Sequence, residues 1–128
     1  MDNMTIINQV LDHYGEDIAA AYLFGSQATG ESTDLSDIDI AVLFSQDASH
    51  KAATVQFKLY ADLSKALQRN DIDLVILNTS RNIMLQEEIV RNSRLIVDKD
   101  ADYRFDYECR TIHDGIDFRQ QRMMVMGV

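Results

Sequence analysis

Two apolar runs, Ile18–Phe24 and Ile38–Phe44, bracket a stretch of small and polar residues that opens with Gly25-Ser26 and closes with Asp37-Ile38-Asp39. Short apolar runs bounded by turn residues read as β-strands. Gly25-Ser26 therefore closes one strand and the aspartates open the next. A turn able to hold a phosphate and a pair of carboxylates able to hold a metal then share one end of a sheet.

The rest of the chain continues the alternation. Ile6, Ile7, Val10, Leu11, Tyr14 and Ile18 recur at helical spacing and predict an amphipathic N-terminal helix ending near Gly15. Gln27 to Gly30 reads as a short helix or turn. Val55, Leu59, Leu63 and Leu67 recur every fourth residue in a long helix, with Asp47 or Ser49 as its cap. Asn70-Asp71 breaks that pattern, and Ile72 to Leu77 forms a third strand. Ser80 caps a helix over 82–91, Leu95 to Val97 is a short strand, and a last helix covers 101–122. Strands and helices in this order predict an α/β fold, a mixed sheet flanked by helices. With 128 residues and no linker or repeat, residues 1–128 are expected to form a single domain.

Composition narrows the partners. A net charge of −9 argues against an extended nucleic-acid surface, which needs clustered Lys and Arg. It suits a basic protein or a cation, and solvation alone also accounts for it. Asp2 and the absence of a cationic N-terminal stretch do not resemble a signal peptide, and no apolar run nears the ~18 residues that span a bilayer. The single cysteine, Cys109, fits a reducing, cytoplasmic setting.

The chemistry lies in the aspartates. On a strand, residues i and i+2 share a face at about 6–7 Å, so Asp37 and Asp39 project together while Ile38 and Ile40 enter the other side. Hard carboxylates suit Mg²⁺, which completes its shell with water and substrate phosphates. Two such ions about 3.5–4 Å apart clamp the attacking and leaving oxygens of a phosphoryl transfer. The third strand offers Asp71 and Asp73. Asp73, directly before Leu74-Val75, is the expected third ligand, with Asp71 an auxiliary or a strand-end residue. Gly25 lets the backbone approach a phosphate and Ser26 adds a hydroxyl donor. The pattern is not a calcium loop, because Ala41 and Val42 stand where that motif needs a ligand and a glycine. Asp-x-Asp also occurs in sugar-nucleotide glycosyltransferases, which need a larger domain. Cys109 and His113 share a helical face, but two ligands make no zinc site. The Met123-Met124-Val125-Met126 tail suits either a core-covering terminus or a docking segment.

Gly25-Ser26, Asp37-x-Asp39 and Asp73, in this order and in these strand contexts, resemble the nucleotidyltransferase superfamily typified by DNA polymerase beta. The resemblance is closest to its minimal nucleotidyltransferase (MNT) branch and covers roughly Tyr22 to Val97. It implies a polymerase beta-like fold and two Mg²⁺ ions shared by Asp37 and Asp39. It further implies that Asp73 holds the ion that activates the acceptor hydroxyl, and that Gly25 and Ser26 contact the triphosphate of ATP. Many MNT proteins are antitoxins of type VII-like pairs, encoded beside a HEPN-domain ribonuclease toxin. The best-understood ones transfer AMP from ATP to a tyrosine of that toxin. The resemblance thus implies a protein adenylyltransferase with a HEPN toxin as partner. A binding-only antitoxin and an aminoglycoside-like small-molecule nucleotidyltransferase are the alternatives; the second normally carries an additional helical domain. The chain is not itself the ribonuclease, since no Arg stands four to six residues before His13, His50 or His113.

Overall fold

A computed structural model of the chain describes residues 2–25 and 37–125, so Ser26, the turn expected at Gln27–Gly30 and the end of the methionine-rich tail lie outside the described residues. The elements run α1 (Asn3–Asp12), β1 (Ile18–Phe24), β2 (Ile38–Phe44), α2 (Ala52–Leu67), β3 (Ile72–Ile76), α3 (Ile83–Asn92), β4 (Arg94–Asp98) and α4 (Ala101–Val125). One four-stranded sheet has the order β3-β2-β1-β4. β1 is antiparallel to both β2 and β4, whereas β2 and β3 are parallel. This is the mixed sheet flanked by helices that the sequence predicts.

Alternation along the strands feeds two cores. Leu23, Ile38, Ile40 and Val42 face α1 and α2, where they meet Ile7, Leu11, Leu59 and Leu63. Tyr22, Ala41 and Leu43 face the other way, onto Ile89 of α3 and Tyr107 of α4. Leu11, Leu59 and Leu63 are wholly buried, and each such side chain contributes about 1.5–3 kcal/mol. On the second face a polar network fixes α4. The Tyr22 hydroxyl donates to Glu108 at 2.8 Å. Arg104 bridges Glu108 at 3.0 Å and Asp98 at 2.9 Å.

Helix starts depart from expectation in two places. Neither Asp47 nor Ser49 caps α2. Residues Gln46–Lys51 form a 3-10 turn instead, with Ala48 buried, and α2 begins at Ala52 without a side-chain cap. Burying Ala48 fixes this turn before the helix begins, and the Ser49 hydroxyl is spent on the Gln46 carbonyl at 3.0 Å. Asn82, not Ser80, caps α3 by accepting from the Leu85 amide at 3.0 Å. Ser80 accepts from the Asn82 amide one step earlier, at 3.3 Å. The C-terminal helix runs to Val125, three residues past the expected end.

Candidate active site

The topology gathers the singled-out residues at one edge. Because β1 is antiparallel to β2, its C-terminal end lies beside the start of β2; because β3 is parallel to β2, it starts there too. Phe24 pairs with Asp39, and Asp39 pairs with Asp73. Neighbouring strands are about 4.8 Å apart. Asp39 shares the α3/α4 face with Phe24, since Ile38 and Ile40 on either side of it enter the opposite core. Asp73 lies on the same face, two residues before Val75, which packs into that core. Asp37 immediately precedes β2 and is exposed, as is Asp73, while Asp39 is half-buried. The Ile38 amide donates to the Asp71 carbonyl at 3.0 Å, tying the two strand entries together.

Gly25 is required here on two counts. Its φ of +70° lies in the left-handed region, where a side chain is strained. A Cβ built on it would stand 2.2 Å from Oδ2 of Asp39. The end of β1 therefore comes close to the Asp39 carboxylate, which would have to shift to admit a side chain at this position. Ser26, the second expected phosphate contact, lies outside the described residues.

Electrostatically the site is a crowd of like charges. Burial, then Asp73 and Asp37, push the Asp39 carboxyl above the ordinary carboxylate value. A bound cation would relieve that repulsion, and an all-oxygen donor set fits Mg²⁺. Among the described residues no three His, Cys, Asp or Glu side chains close into a ready-made metal cage. Mg²⁺ does not demand one, because it keeps several waters and takes oxygens from substrate phosphates.

Asp71 is engaged elsewhere. Both its oxygens are held by Arg69, at 2.7 and 2.5 Å, and that guanidinium keeps its carboxyl below the usual range. It behaves as a strand-entry residue. Cys109 is exposed, and His113 faces Asp117 at 3.6 Å. One residue at the site edge carried no expectation from sequence. Phe24 follows from alternation along β1 once the pairing is known. Arg94 pairs with Leu23 and therefore lies on the other face of the sheet, beside Ile7 and Ile38, away from the aspartates.

Comparison with known proteins decides the family. Residues 6–102 match the model described as polymerase beta, nucleotidyltransferase. The chain belongs to this nucleotidyltransferase family. No curated protein matches it. Among solved structures it is similar to a toxin–antitoxin crystallised with AMP-PNP, 25% identical over 98% of this chain and 97% of the other, with a TM-score of 0.75. An MntA-HpeT toxin–antitoxin mutant with a tyrosine replaced by alanine is equally close, 25% identical over 99% and 97% of the chains at a TM-score of 0.75. The MntA-HepT toxin–antitoxin, at 22% identity over 98% and 94% and a TM-score of 0.69, shares the fold.

Proposed function

We infer that this chain is the antitoxin of a HEPN/MNT pair and acts as a protein adenylyltransferase, moving AMP from ATP to a tyrosine of its toxin. The observation that carries the reading is the register of β2 on β3, Asp39 opposite Asp73, with Gly25 against the Asp39 carboxylate. A surface or core role gives no reason to hold two carboxylates side by side on one face, where each destabilises the other. A nucleotide–metal site does. The family match and the similarity to a toxin–antitoxin crystallised with AMP-PNP support a triphosphate substrate and a toxin partner.

Asp37 and Asp39 are the residues that would hold two Mg²⁺ ions, with Asp73 completing the site on the acceptor side. When bound, the ions would screen the triphosphate charge and acidify the acceptor hydroxyl. The chain's own residues do the rest. Gly25 and Ser26 contact the triphosphate, Gly25 by offering a backbone without a Cβ. Asp73 orients the tyrosine hydroxyl and accepts its proton. The phenolic oxygen then forms a bond to the α-phosphorus as the bond to the bridging α–β oxygen breaks, and pyrophosphate leaves in line. Positioning and charge stabilisation account for most of such catalysis.

The test is incubation of the chain with α-labelled ATP, Mg²⁺ and the toxin encoded beside it. Label should appear on a toxin tyrosine and disappear when Asp37→Asn and Asp39→Asn are combined. Label surviving in that double variant would remove the mechanism.

A further inference from the structure

The inner stripe of α4 outruns the domain that covers it. Tyr107, Thr111 and Gly115 are the buried positions of this helix and recur every fourth residue. Continued at spacings of three and four, the same stripe passes through Phe118, Arg122 and Val125. Past Gly115 no described residue of the helix is buried. The last ten residues extend about 15 Å at 1.5 Å per residue. Phe118, Gln121, Arg122 and Val125 line an open groove of about 300 Å³, with Val125 87% exposed. The Arg122 guanidinium lies over the Phe118 ring at 5.9 Å. Spacing of three and four along one face is the signature of a seam that takes another helix.

We propose that the stripe Phe118–Arg122–Val125 is the docking seam for a helix of the partner toxin, one that carries carboxylates to meet Arg122 and apolar side chains to cover Phe118 and Val125. The proposal rests on the antitoxin reading above. Charge selects this occupant over a second copy. Arg119 is already held by Glu87, so the stripe's charged member is Arg122, and a two-fold pairing centred on the stripe would set it against its own copy. Size points the same way. About two turns of seam, with Phe118 half-buried, fall short of the roughly 800 Å² per partner of a standard stable interface. They suffice as a second anchor for a protein already held at the active-site edge, because tethering makes the second contact intramolecular. The relative crystallised as a toxin–antitoxin with AMP-PNP matches 98% of this chain and 97% of its own, so the projecting helix has a counterpart in a chain found with a partner.

The experiment compares the wild-type chain with a Phe118→Asp, Val125→Asp variant and a control, Gln120→Glu, on the opposite side of the helix. Binding to the toxin encoded beside it is measured by titration without ATP, self-association by sedimentation over concentration, and helix content by far-ultraviolet circular dichroism. The seam variant should bind at least tenfold more weakly than wild type with helix content unchanged, and the control should match wild type. Equal binding by the seam variant overturns the proposal. So does wild-type self-association that the seam variant abolishes, which would make a second copy the occupant. Because binding is read without ATP, failure of the transfer reaction leaves this outcome legible. If the seam variant loses helix content, single Val125→Asp at the exposed end decides by the same tenfold criterion.

Discussion

At Gly25 a single methyl group tests the site. Gly25→Ala places a carbon against Oδ2 of Asp39 and forces alanine to the left-handed φ of +70°, a conformation that costs about 1–2 kcal/mol. Nucleotide transfer should fall at least a hundredfold while far-ultraviolet circular dichroism stays native, because the clash is confined to the site. Asp39 gives a second expectation, with a defined sign. Its folded-state carboxyl sits above the ordinary value of 3.8 because of burial, Asp73 and Asp37. The folded state therefore binds its proton more readily than the unfolded chain. The stability this supplies is present below that ordinary value and is lost as pH rises through the raised one. In EDTA at neutral pH, Asp39→Asn should melt a few degrees above wild type, and the gap should close as pH falls into the carboxylate range. A variant that melts lower at neutral pH would contradict the crowding. Gly25, Asp37 and Asp39 were legible because turn chemistry and period-2 alternation are local. The Arg69–Asp71 pair was not, since the left-handed Gln68 at φ 55° that turns the chain there leaves no sequence signal.

Elements followed the hydrophobic periods closely. β1 and β2 have their expected bounds, and α2 buries Leu59, Leu63 and Leu67 from the predicted stripe. Leu59→Ala should cost about 2–5 kcal/mol in denaturant unfolding, since Leu59 is wholly enclosed between α2 and the sheet. Caps were less legible. Asp, Ser and Asn all compete for helix starts, and the choice at Asn82 depends on the backbone path out of β3. The docking of α3 on α4 had no signature at all. Glu87, buried, accepts from Arg91 at 2.9 Å and from Arg119, and a Cβ on Gly115 would stand 2.5 Å from its Oε1. These residues lie far apart in sequence and look like ordinary surface charges of two helices. Gly115→Ala should lower the melting temperature by several degrees, because Glu87 is held by two arginines and has no free direction in which to yield.

For the whole molecule, the proposed chemistry lies at one edge of the sheet, and past Gly115 no described residue of α4 is buried. Among the described residues no helix is long and apolar enough to cross a membrane. The acidic balance of −9 places repulsion around any approaching triphosphate, so the site is expected to depend on its cations. The pairing of Asp39 with Asp73 depends on β2 and β3 being parallel neighbours. Sequence order alone did not fix that, although a helix between two strands favours it. The most direct measurement is transfer of label from α-labelled ATP to the toxin, read by mass spectrometry of the toxin and, in parallel, by its ribonuclease activity. The expected result is one or more AMP groups on a tyrosine and a silenced ribonuclease, both lost when Asp37, Asp39 and Asp73 are all replaced by Asn. A ribonuclease silenced equally well by that triple variant, with no AMP attached, would contradict it.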